Sequence, residues 1–250
     1  MTPGPARLVF TVTPGRSGTG LLAALLSGLR DTSAHHEPEP HFARSMRSAQ
    51  LDPDAALEFW EREKLPAIER QPGDTYVETS HLFCKGFLEP LLALGRVPDL
   101  VLLTRPHREV ATSLLSLGTV PGRGDKATRF YLQPDDPGVL PLPGWRSLHD
   151  YQLCFWYCLE IERRAALYAP MVRERGGRVL QISLDELSTA SGFASLLGFL
   201  DRSRVEPRAW RHFLAVRRRR VNDKRAMKRA SELPTDVEAL ESGVRRAVGA

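Results

Sequence analysis

Residues Gly15-Arg16-Ser17-Gly18-Thr19-Gly20 interleave glycines with two hydroxyls and one fixed positive charge. That mixture suits an anion. A backbone free of Cβ atoms can curl around a phosphate or sulfate ester, while hydroxyls, N–H groups and a guanidinium supply donors. The nucleoside-triphosphatase loop needs glycine, lysine and then a hydroxyl residue, whereas Gly18 here is followed by Thr19-Gly20. A second group is Arg105-Pro106-His107-Arg108 with Ser113 eight positions after Arg105; a guanidinium offers a further phosphate two parallel donors. His36, Glu37 and His81 carry side chains able to take up or give a proton. Each group also has an ordinary reading: a plain strand-to-helix turn, an arginine paired with a nearby carboxylate, a solvated polar loop.

The elements that must position these residues follow from the apolar patterning. Leu8 to Val12 is a short strand-like run, and the Leu/Ala spacing from Leu21 onward is that of a buried helix. The glycine-rich turn therefore lies where the first helical N–H groups lack partners and the helix dipole adds positive charge. Asp99 to Thr104 reads as a central strand of a parallel sheet ending at Arg105, with a helix from about Arg108. Thr75 to Ser80 is the next strand, with His81 at its end and Lys85 within one helical turn. Between them, Asp31 to His41 reads as a polar loop, because Pro38 and Pro40 forbid a regular helix. Its position one helix after the anion loop sets it at the carboxyl edge of a neighbouring strand, where ligands sit in open α/β sheets.

Elsewhere the chain reads as scaffold. Asp54 to Arg70 has the periodicity of one helix, Phe83, Phe87, Leu88, Leu91 and Leu92 are core, and His149 to Ala169 is a long helix whose aromatic residues Tyr151, Phe155, Trp156 and Tyr157 are core. Arg178 to Ile182 is the last strand, and Gly192 to Leu200 a final core helix. Residues 119–147 are rich in Gly, Pro and Asp and form the expected acceptor-binding segment. The expectation is a single α/β domain over 1–250, three-layered, with a mainly parallel central sheet and a P-loop-like strand-loop-helix.

A hydrophobic fraction of 42% and a charged fraction of 26% are those of a soluble globular chain, with no apolar run of transmembrane length. Met1 to Arg7 lacks the features of a secretion signal, so a cytoplasmic location is expected. Cys84, Cys154 and Cys158 are odd in number and lie in apolar segments, which argues against disulfides and metal binding. The net charge of +5 asks for an anionic partner, and Arg217 to Arg225 is the strongest basic run.

Thr13 to Leu22 resembles the 5′-phosphosulfate loop of the sulfotransferases that use 3′-phosphoadenosine-5′-phosphosulfate (PAPS), and Arg105 with Ser113 resembles the 3′-phosphate motif of that family in order and spacing. The likeness runs from about Leu8 to Leu115, and Ser183 to Leu187 resembles the family's segment leading into a capped helix. It implies that Gly15, Arg16, Ser17, Gly18, Thr19 and Gly20 hold the phosphosulfate, that Arg105 and Ser113 hold the 3′-phosphate, and that a basic loop at 215–230 covers the nucleotide through Arg217, Arg218, Arg219, Asn222 and Lys224. Arg16 would stabilise charge on the transferring sulfonate where many members carry lysine; arginine cannot act there as a proton donor. His81 resembles the catalytic histidine of the cytosolic branch and Glu37 the catalytic glutamate of the carbohydrate branch and several bacterial enzymes. The His36-Glu37-Pro38 context favours Glu37, with His81 and His36 behind it.

The implied reaction moves a sulfuryl group from PAPS to a hydroxyl or amine of a small molecule, carbohydrate or natural product. It leaves adenosine 3′,5′-bisphosphate (PAP) and needs no metal. Two other classes compete. A P-loop small-molecule kinase would use the first loop with ATP and magnesium, but gives no role to Arg105 and Ser113. A nucleic-acid-binding protein would use the C-terminal arginines, which lack the interleaved aromatics of a stacking surface; nucleic acid is therefore not the expected partner.

Overall fold

The computed structural model describes residues 4–202, 207–218 and 233–249. At its centre lies β1, Arg7–Val12, buried from Leu8 onward. It pairs in parallel with β3, Thr75–Glu78, on one side and with β4, Asp99–Thr104, on the other. β2, Thr32–His35, and β5, Val179–Ser183, complete a parallel sheet of five strands in the order β2-β3-β1-β4-β5. Helices cover both faces, which is why β1 and β4 read as unbroken apolar runs rather than alternating ones.

The two faces are served by different helices. α1, Thr19–Leu26, packs with α10, Ala190–Phe199, and α11, Pro207–Val216, on the side of Val9, Val77, Val101 and Ile182. The face of Phe10, Val12, Leu100 and Leu102 is covered by α2, Met46–Leu51, α3, Pro53–Phe59, α5, Leu88–Ala93, α6, His107–Ser116, and α8, Asp150–Arg173. Phe10 stacks on Phe83 at 4.3 Å and meets Trp60 edge-on at 5.6 Å. The helix after β1 therefore lies on one face and the helix after β4 on the other, so a crevice opens at the carboxyl ends of these two strands. Among the described residues no helix is long and apolar enough to cross a membrane.

Three segments differ from the sequence reading. The expected loop at residues 31–41 begins as edge strand β2, where Ala34 pairs with Val77 despite polar neighbours; one paired side and partial exposure tolerate that composition. The single helix expected over 54–70 is α3, a π-turn at Trp60–Lys64 and α4, Leu65–Glu69. Pro66 has no N–H for the preceding turn, and the helix widens ahead of it. This brings Lys64 inside: its Nζ lies 2.7 Å from Glu78 Oε2 and donates to Pro40 O at 2.8 Å.

The third is residues 119–147, read above only as a segment rich in Gly, Pro and Asp, which contain α7, Gly124–Phe130, and a turn of 3₁₀ helix at Trp145–Ser147. The segment is fastened to its surroundings. Arg47 grips Asp136 with bonds of 2.7 and 2.8 Å, while Leu140 donates its N–H to buried Glu160 at 3.0 Å and accepts from Trp156 Nε1 at 3.0 Å. α12, Val237–Val248, packs against α8 through Val244 and Leu240.

Candidate functional site

The glycine-rich turn joins β1 to α1 at the crevice. Gly15 and Gly18 have φ of 81° and 95°, and a Cβ on Gly18 would stand 2.4 Å from Leu184 Cδ1. Arg16 shares the left-handed region at φ 59°, unusual strain for a residue with a side chain. From Gly15 through Leu21, among the described residues, the backbone N–H groups donate to no protein acceptor. The Thr13 hydroxyl is likewise buried without a partner. The carbonyls are held from outside: Tyr157 donates its hydroxyl to Pro14 O at 3.1 Å, and Ser17 Oγ donates to Gly15 O at 3.0 Å. A run of buried, unpaired donors at a helix start fits an oxyanion.

The second predicted element meets this loop. Arg105 Nη1 donates to Arg16 O at 2.8 Å, and Arg16 Nε donates to Ser113 Oγ at 3.1 Å. Arg105 also pairs with Glu109 one turn on, at 2.9 Å, as the ordinary reading anticipates. Arg16 has no carboxylate partner among the described residues, and burial pushes its guanidinium down from its usual pKa, against the raising influence of Tyr131 and with a smaller lowering one from the like charge of Arg105. Two neighbouring guanidinium groups sharing one counter-charge create demand for an anion.

The proton-transfer candidates also gather, around Glu37 in the turn after β2. Glu37 takes φ 49°. Its Oε1 lies 3.6 Å from His81 Nε2 and its Oε2 3.7 Å from His41 Nε2. Burial alone would raise this carboxyl, but the hydrogen bond from His41 and the facing His81 and His36 outweigh it and hold the pKa at about 2. His81 moves well below the usual imidazole value, through burial first and then the cation of Lys85. Its Nδ1 is 2.9 Å from Lys85 Nζ, and its ring packs on Tyr131 at 5.4 Å. His36 is anchored on the neighbouring strand end: its Nδ1 is 2.8 Å from Thr79 O.

The C-terminal candidates divide. Arg217 donates to Ser188 O at 3.3 Å, in the turn after α9, Leu184–Leu187, whose Leu184 abuts Gly18. Arg218 is exposed, and Arg219, Asn222 and Lys224 lie outside the described residues. Sequence reasoning gave Lys85, His41 and Tyr131 no role in the site. A signal existed for the first: Lys85 is the lone cation in the apolar run Leu82 to Leu92.

No protein-family model matches the sequence, and no curated protein is significantly similar to it. Its fold is similar to that of the sulfotransferase domain from the curacin biosynthetic pathway, with a TM-score of 0.56 over 98% of both chains at 13% identity. It is similar also to the sulfotransferase domain of the Synechococcus PCC 7002 olefin synthase, with a TM-score of 0.54 over 99% of this chain and 96% of that one at 14% identity. A parallel five-stranded sheet with a P-loop-like turn after its central strand, matched end to end by these two domains, gives the chain a sulfotransferase-type fold.

Proposed function

We propose that this protein transfers a sulfuryl group from PAPS to a hydroxyl or amine of a small molecule or carbohydrate. The observation that carries this reading is the meeting of two anion-seeking elements, the unpaired N–H groups of residues 15–21 and the Arg105–Arg16–Ser113 chain, in one crevice. A ligand with two separate phosphate-type anions suits that arrangement better than a nucleoside triphosphate, whose charges lie in one row.

PAPS, when bound, supplies an activated sulfonate on a phosphate bridge. The loop N–H groups and the hydroxyls of Ser17 and Thr19 hold the 5′-phosphate, and Arg105 with Ser113 the 3′-phosphate. Arg16 neutralises charge that builds on peripheral and bridging oxygens during in-line transfer; positioning and fixed electrostatics carry most of such catalysis. His81 is the base for the acceptor. Glu37, held anionic by its histidine neighbours, is a weak base and instead stabilises the imidazolium that forms on His81. Tyr131 packs on the ring of this base and Phe130 O accepts from the neighbouring Lys85, which supports acceptor recognition by residues 119–147.

Thermal unfolding tests the donor. PAP at about a hundredfold excess over its Kd should raise the midpoint by roughly 5–10 °C, while ADP or ATP with magnesium should move it little. A shift with ATP and magnesium alone would favour the kinase reading. Arg105→Ala should weaken PAP binding by about tenfold to a hundredfold, and that of adenosine 5′-phosphate only a few-fold through loss of its bond to Arg16 O. Equal losses by calorimetry would take the 3′-phosphate away from Arg105.

A further inference from the structure

The two lysines buried most deeply among the described residues face different partners. Lys64, 1% exposed, meets the carboxylate of Glu78; Lys85, fully buried, meets none. Its Nζ contacts His81 Nδ1 at 2.9 Å and donates to Phe130 O, with the rings of Tyr131 and Tyr157 at 4.9 and 5.1 Å. Among the described residues no carboxylate stands within ion-pair distance of it. The charged and titratable groups facing it are His81 and Cys84 from its own turn, Glu37 from the turn after β2, Arg47 on α2, Tyr131 after α7, and Tyr157 and Arg164 on α8. An ammonium in such a place needs three acceptors and has two.

We propose that Lys85 is the positioning residue of the acceptor base, setting the tautomer of His81 and taking up the proton that His81 removes. The inference rests on His81 being that base. With Lys85 protonated, Nζ must donate to Nδ1, so His81 carries its proton on Nε2, facing Glu37, and cannot act as a base there. With Lys85 neutral, Nζ keeps one N–H on Phe130 O and turns its lone pair to Nδ1–H, which leaves the Nε2 lone pair free. In transfer, the acceptor O–H bond breaks as its proton moves to Nε2; the Nδ1 proton passes to Nζ, giving an ammonium. The acceptor oxygen forms its bond to sulfur as the bridging bond to phosphate breaks. No proton or electron is left over. Burial brings Lys85 down to about 7, against raising influences of Cys84 and Glu37 and lowering ones of Arg47 and Arg164, so both states are populated near neutrality.

The test is histidine-selective ¹⁵N NMR of the full chain, with the His81 signals assigned by their loss in His81→Gln. The wild type should pass from the Nε2–H to the Nδ1–H tautomer with a midpoint near neutral pH. Lys85→Met should abolish the switch. Should that variant not fold, Lys85→Arg, a permanent donor, should hold Nε2–H at every pH. One unchanging tautomer in the wild type, or a switch retained in either variant, overturns the proposal. PAP-dependent melting is read in the same samples. A tautomer switch without a PAP shift upholds the relay and rejects the sulfotransferase reading; a PAP shift without the switch does the reverse.

Discussion

His81→Asn should lower turnover by about three orders of magnitude while leaving PAP affinity nearly unchanged. Removing a positioned general base costs between about 10² and 10⁴ in rate. Asparagine keeps a polar group near Lys85 and Glu37 but has no titratable nitrogen. Gly15 sits against the imidazole, where an added Cβ would be 3.1 Å from the ring, so the smaller side chain relieves rather than crowds the anion loop. Glu37→Gln should cost only about tenfold, the share of a charge that steadies an imidazolium without taking the proton. The comparison is radiolabelled sulfate transfer from PAPS to the best acceptor in a screen of phenols, sugars and amines. A fully active His81→Asn beside a dead Glu37→Gln would hand the base to Glu37, the residue that sequence context favours.

Lys64→Met should destabilise the protein by about 3–5 kcal/mol in urea unfolding, because removing one member of a buried pair leaves the other charge uncompensated. Glu78 is fully buried, its Oε2 also accepts from Tyr76 at 2.7 Å, and its Oε1 has no partner, so the carboxylate has no substitute cation. The sign of the pH dependence follows. Burial already raises the Glu78 pKa, against the pull of Lys64. Without Lys64 the folded pKa rises further above the unfolded one, so the variant is most stable at low pH and loses stability as pH rises through the folded value. Its deficit should therefore shrink at about pH 5. A loss below about 1 kcal/mol would mean that Glu78 finds water. Because Lys64 also holds Pro38 O and Pro40 O, the variant should lose turnover beyond its loss of stability, through a displaced Glu37.

Local signals made half of the site legible. A dense apolar strand, three glycines and a leucine-rich helix fixed the β1 turn, and the same grammar placed Arg105 at the end of β4. Ser183 to Leu187 resembled a segment leading into a capped helix, and in the structure Ser183 and Glu186 make both bonds of a capping box on α9. The base cluster was harder to read, because Glu37, His81 and Lys85 come from separate turns and meet only when β2 and β3 pair. β2 carries little strand signal, since an edge strand draws its stability from a neighbour. The glycine that opens α7 looks like a loop residue, which hid a helix inside residues 119–147.

Arg7, at the start of the strand that leads into the anion loop, donates to Asp99 at 2.7 Å and to Phe199 O at 2.7 Å. The partners of β1 are distant in sequence, with Val9 opposite Asp99 and Val77. Closing such long loops is what makes parallel sheets slow to assemble, and on the ribosome a chain gains order only as its partners emerge. The anion loop is thus synthesised early and shaped late: its strand must wait for β3 and β4 before it has a sheet to join. Until then Leu8 to Val12 is an apolar segment without a strand partner, and its burial waits on residues roughly seventy to ninety positions further along the chain.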